Sequence, residues 1–168
     1  MFITGDEALA AARREIKSAI FQKDPMLAPW SDSSLGQPVL VRTVFRQPSY
    51  WLVPMLLQER AVGFVRVLET GKVAAVGVHC RDPSQIAACP ATITGIDAEE
   101  AGRRVQTRVH PELGEMPMAP VFVHDGPPGR EAWLIEVLKD DKPTRWIFVT
   151  PAFSYERRAG ELLDEDRE

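Results

Sequence analysis

Few residues in this chain could do chemistry, and their spacing limits what each could do. His79-Cys80 with Cys89 offers three potential metal ligands, or a thiol beside a base. Neighbouring strand residues point to opposite faces, so His79 and Cys80 cannot close on one ion, and no metal site is expected. Cys80 and Cys89 flank the loop 81–88, where a disulfide is geometrically possible. In a reducing compartment the expectation is two free thiols. His124-Asp125 runs into Gly126-Pro127-Pro128-Gly129 and reads as a turn bonded to itself rather than a catalytic pair. Asp97, Glu99 and Glu100 fall in a helix's first turn, where negative charge complements the dipole, and Asp140-Asp141 reads as a solvated hairpin turn. Neither a Gly-rich phosphate loop nor His-Glu-x-x-His occurs. The expectation is therefore no catalytic residue, no cofactor and no metal, with a non-catalytic role favoured over an enzyme.

Composition narrows the partner. The chain has 168 residues, 45% hydrophobic and 26% charged, as in globular proteins. A net charge of −4 and a pI near 5.5 argue against a general nucleic-acid binder, which needs a basic field to neutralise phosphates. No apolar run reaches the roughly 18–20 residues that span a bilayer. Charge enters early, at Asp6 and Arg13, unlike a secretory signal, so a cytoplasmic location is expected.

The elements that must position these residues follow from patterning. Thr4-x-x-Glu7 is a capping box, and Leu9, Ala12, Ile16 and Ile20 recur at helical spacing, predicting a helix over 6–21. Residues 22–37 carry two prolines and a serine cluster, hence a loop, yet they include Met26, Leu27, Trp30 and Leu35. Such a loop either caps a core edge or presents a binding surface. Strands are predicted over 38–46, 50–57, 60–68 and 72–79, with connections short enough to force antiparallel neighbours. Pro54 marks an edge or a bulge. These strands are apolar on both faces, so the other half of the chain or a second subunit must cover one of them. After a linker, Asp97 caps a second helix with the stripe Ala98, Ala101, Val105 and Val109, and strands follow at 118–124, 131–138 and 145–150.

The halves repeat. Ile3-Thr4-Gly5 returns as Ile93-Thr94-Gly95 at an offset of 90, and seven of twelve positions are identical across the stretch. Trp51-Leu52-Val53 returns as Trp133-Leu134-Ile135 at an offset of 82, the change being absorbed in the Trp30 loop. Arg13-Arg14 and Arg103-Arg104 recur as well, and read as snorkelling residues on a solvated flank.

A capped helix Ile-Thr-x-x-x-Ala, followed by an antiparallel meander with an aromatic-aliphatic strand and a strand-Thr-Gly-Lys-Val turn (residues 66–73), resembles the PepSY domain and the wider cystatin-like fold. The resemblance implies inhibition of a peptidase, a propeptide role or the holding of a peptide. A Gln-x-Val-x-Gly hairpin is absent, since Gln58-Glu59-Arg60-Ala61-Val62-Gly63 has the wrong spacing.

The sequence reading is thus an α+β protein of two repeated cystatin-like units, each one helix packed on an antiparallel β-meander. The first repeat is 1–85, the second 91–158, and an acidic tail covers 159–168. The partner is expected to be a peptide or protein added at a strand edge, with Met26, Trp30 and Leu35 as contacts. Nucleic acid and membrane are not expected partners, and a homo-oligomer is possible. Two alternatives remain open: an enzyme using a pocket between the repeats, with His79, Cys80, His110 and His124 as titratable candidates, and an oligomeric immunity or structural subunit.

Overall fold

The protein was analysed as a computed structural model that describes residues 1–162, and the expected acidic tail falls mostly on 163–168, outside the described residues. Three α-helices form, α1 (Gly5–Ile16), α2 (Ala19–Lys23) and α3 (Ala98–Val105). The strands are β1 (Ser34–Leu35), β2 (Val39–Arg42), β3 (Pro48–Leu57), β4 (Arg60–Leu68), β5 (Val73–Val78), β6 (Glu115–Pro117), β7 (Val121–His124), β8 (Glu131–Lys139), β9 (Lys142–Val149) and β10 (Ser154–Arg158). The chain divides into two compact units, Met1–Val41 with Pro48–Ile93, and Arg42–Gln47 with Thr94–Glu168.

This corrects the expected architecture. Strands dominate, the helices are short, and the pairing is mixed rather than antiparallel throughout, because Arg42 of β2 lies in parallel register with Val123 of β7. The first unit carries two α-helices, not one. The protein is not a pair of cystatin-like helix-on-sheet repeats. Local chemistry explains the short helices. The single helix predicted over 6–21 breaks because Ser18 offers its hydroxyl to the Phe21 N–H at 3.2 Å and starts α2 afresh. The break re-aims the stripe, and Ile20, expected in the core, is 78% exposed.

In the first unit, β3, β4 and β5 form an antiparallel meander, and β1 pairs with β3 through Leu35 opposite Met55. Thr4 and Glu7 close the capping box, with the Thr4 N–H donating to Glu7 Oε2 at 2.7 Å and the Glu7 N–H donating to Thr4 Oγ1 at 3.2 Å. Ala8, Ala11 and Ala12 are small enough to seat α1 directly on the sheet, in a core with Phe21, Trp30, Val53, Met55, Val62 and Val65. Pro54 stays within β3, and a bulge follows between Met55 and Leu56.

In the second unit, β7, β8, β9 and β10 are successively antiparallel, and β6 pairs with β8. The sheet has two apolar faces. One packs Ile135, Val137, Ile147 and Val149 against Ala101 and Val105 of α3. The other gathers Val123, Leu134, Trp146 and Phe148 with Val44 from the segment Arg42–Gln47 and with Tyr155, Ala159 and Leu162. The arm is pinned by Phe45 edge-on to Trp146 at 5.8 Å and by Arg46 to Glu136 at 3.2 Å.

The hairpins β3–β4 and β8–β9 share their register residue for residue. Trp51 faces Val67 as Trp133 faces Val149, and the Met55/Leu56 bulge recurs at Val137/Leu138. Both turns hold two non-glycine residues at positive φ, Gln58 and Glu59 (50° and 61°), Asp140 and Asp141 (51° and 62°). The helices follow a different register. Trp51 Nε1 donates to Ile3 O at 3.0 Å, and Trp133 Nε1 donates to Ile96 O at 2.9 Å, each the carbonyl just before a helix N-cap. Thr4 therefore corresponds to Asp97, whose carboxylate accepts from the Glu100 N–H at 2.8 Å, and not to Thr94. Ala8 and Ala101 become the matching buried residues, and the two Arg-Arg pairs are not equivalent.

Candidate functional site

The expected contacts do not come together. Trp30 is 1% exposed and belongs to the first core, which leaves its side chain no surface to offer a partner. Leu35 packs against the same core and pairs with β3 on the side opposite β4, so this loop lies two strands away from β5. Only Met26, 68% exposed, stands open, on a turn held by Asp24 Oδ1 accepting its N–H at 2.7 Å.

The other chemistry-bearing residues are mostly engaged. Cys80 and Cys89 are joined as a disulfide, Cα to Cα 5.7 Å, instead of remaining free thiols. The bridge closes the 81–88 loop, which is further tied by Ala61 N–H to Pro90 O at 2.9 Å and Arg60 Nη1 to Cys89 O at 3.2 Å. Among the described residues no three His, Cys, Asp or Glu side chains converge as a metal site requires. His124 Nδ1 lies 2.7 Å from Gly126 O, inside its own turn, while Asp125 points elsewhere. His110 sits 3.1 Å from Glu112. No helix among the described residues is long and apolar enough to cross a membrane.

Two surfaces stand out among the described residues. The first is the β5 edge. Among the described residues β5 pairs only with β4, and its sequence Val-Ala-Ala-Val-Gly-Val carries no charge. His79 N–H donates to Val62 O at 2.8 Å, which sets the phase of the ladder: Gly77 turns its amide to β4, while Val76 and Val78 turn theirs outward. Val73, Val76 and Val78 pack onto the core, and the rest of the strand, Ala74, Ala75 and Gly77, carries no large side chain. Gly77 lets the Phe64 ring lie close over the strand, since a Cβ would come 2.6 Å from it and the ring would have to turn away. That ring lies over the strand with His79 at 5.7 Å, forming a shelf beside an unfilled edge.

The second is a cavity of about 680 Å³ in the second unit, lined by the loop into β8 (Gly129, Arg130, Glu131), the β9–β10 turn and Tyr155. Tyr155 is fixed: its hydroxyl donates to Asp125 Oδ2 at 2.6 Å, and its ring stacks on Phe148 at 5.0 Å. Burial, followed by the Asp125 carboxylate, pushes the phenol well above its ordinary value, so it stays a neutral donor. Asp125 is fully buried and also receives both Nη groups of Arg157, whose guanidinium lies over Phe148 at 4.7 Å. This buried clamp joins β10 to the turn after β7. The sequence placed His124-Asp125 in a turn, but the partners of Asp125 lie thirty positions away, where local spacing carries no signal.

Comparison with protein-family models, with curated proteins and with solved structures finds no match.

Proposed function

We propose that this chain is a non-catalytic peptide- or protein-binding module that accepts an extended segment of its partner as an added strand along β5. Inhibition of a peptidase and carriage of a peptide are both forms of that activity. The observation that carries the reading is the β5 edge itself, an uncharged strand with outward amides at Val76 and Val78 and no blocking side chain on its outer face. Natural sheets protect such edges with charge, proline or a covering element, and an edge left bare is a template for pairing. Main-chain hydrogen bonds would supply affinity there, and the Phe64 shelf would select alternate side chains.

The test is selection of linear peptides from a display library on the full chain, followed by amide hydrogen exchange. Selected peptides are expected to slow exchange at Val76 and Val78. Ala74→Pro, at the exposed residue between Val73 and Ala75, should weaken them by up to about tenfold, the worth of a backbone hydrogen bond, with an unchanged unfolding midpoint. Protection confined to other parts of the chain would overturn the proposal.

A further inference from the structure

The cavity beside Tyr155 has the properties of a second, independent site, and they accumulate from the turn upward. The β9–β10 turn closes through Thr150 N–H to Phe153 O at 2.9 Å and Phe153 N–H to Thr150 Oγ1 at 3.1 Å. Beneath it, Arg104 Nη1 donates to Thr150 O at 3.3 Å and Pro151 O at 3.0 Å. Pro151 rests on Gly95, whose φ of +72° and lack of Cβ allow the approach, since a Cβ would come 2.3 Å from the proline ring. The turn is therefore held from two sides, yet it leaves Phe153 61% exposed, with the tilted ring of Tyr155 beside it at 5.9 Å. A large aromatic on a preorganised turn has already paid the ordering cost of binding.

The facing wall supplies charge. Arg130 is exposed and forms no ion pair among the described residues, and its backbone N–H donates to Pro127 O at 3.3 Å, continuing the rigid Gly-Pro-Pro-Gly loop. Glu131 turns back onto that loop, accepting from the Gly129 N–H at 3.2 Å. An aromatic wall of Phe153 and Tyr155 with the pyrrolidine of Pro151, set against one guanidinium, is complementary to a flat apolar body bearing a carboxylate. The volume lies within the range of about 300–1,000 Å³ usual for small-ligand sites.

We infer that this cavity binds an aromatic carboxylate, the ring against the wall of Phe153 and Tyr155 and the carboxylate on Arg130. The same chemistry is offered by a free aromatic acid and by a peptide ending in an aromatic residue. The site shares no residue with β5, and its test is independent of that reading.

The experiment is titration of the full chain, followed by backbone amide NMR, with N-acetylphenylalanine, its amide, and a hexapeptide ending in phenylalanine. Saturable shifts confined to Gly129–Glu131 and Thr150–Tyr155 are expected with the acid. The amide should bind about tenfold more weakly, as should the acid to Arg130→Gln, for the loss of one charge-assisted contact. Phe153→Ala should weaken acid and amide alike. Arg130 and Phe153 are exposed, so both variants should keep the wild-type spectrum elsewhere. Tighter binding of the hexapeptide than of the acid identifies a chain terminus as the source, and equal binding a free acid. No saturable shift at these residues, or equal affinity for acid and amide, overturns the inference.

Discussion

The strands β5 and β10 each pair with a single neighbour among the described residues, and they treat the open side in opposite ways. Along β10, Ser154-Tyr155-Glu156-Arg157-Arg158, charge is placed at three of five positions and nearly every side chain is engaged. Glu156 receives Arg108 at 2.8 Å and Arg145 at 3.0 Å on one face, while Tyr155 and Arg157 converge on Asp125 from the other. An incoming strand would have to displace or bury those charges. Along β5 the strand itself carries no charged side chain to displace. The bare edge is therefore not forced by the fold, since the same chain protects a strand elsewhere.

The contrast can be broken most strongly at Asp125. Asp125→Ala leaves Arg157, a guanidinium with side-chain exposure of only 11%, without its carboxylate, and should cost about 3–5 kcal/mol in denaturant unfolding. Amide exchange in β10 should then rise toward that of β5; an unchanged midpoint would show that the clamp does not hold β10. A smaller effect is expected from charging the bare strand. Ala75→Lys places a cation on the outer face of β5 and should lower affinity for any edge-binding peptide several-fold, by analogy with natural edge protection. Isothermal titration checks this, and equal affinity counts against β5.

Acid should separate the edges further. The Glu115 carboxyl is held below its ordinary 4.5, first by the His110 N–H and then by Arg145. A lowered folded value means the stabilisation is complete above 4.5 and lost as pH falls through the folded value. Glu115 and β10 share Arg145, so β10 amides should lose protection below pH 4.5 while β5, which has no titratable side chain, responds less. Simultaneous loss in a pH series of exchange experiments would refute that ordering. The smallest effects should come from the hairpin turns. Glu59→Gly and Asp141→Gly relieve positive φ in equivalent turns and should each stabilise by about 0.5–1 kcal/mol. Similar gains by thermal unfolding would place the difference between the units at their edges rather than in their hairpins.

Much of this was legible in the chain itself, and the losses have causes. The hairpins are local objects, so the 82-residue offset from Trp51 to Trp133 carries through to register, bulge and turn. The helix offset of 90 does not, because the repeated letters Ile-Thr-Gly are not the repeated cap: Asp97 caps where Thr94 was matched to Thr4. Trp30 read as a loop residue from its prolines and serines, and only the tertiary core accounts for its burial. β10 was missed because its charges resemble a solvated tail, while the reason it forms a strand, Asp125, lies far away in sequence. The parallel contact of Arg42 with Val123 is equally non-local, and it changes the architecture.

The segment Arg42–Gln47 belongs to the second unit although it is encoded inside the first. During synthesis the arm leaves the ribosome long before Trp146 and Leu134, the side chains against which Phe45 and Val44 pack, exist. The second unit can therefore not mature in isolation from the first stretch of chain, and a cut after Ile93 would deliver a C-terminal fragment whose apolar face lacks its own cover. The order of assembly is written into the connectivity: the first half must be made and waiting before the second can close.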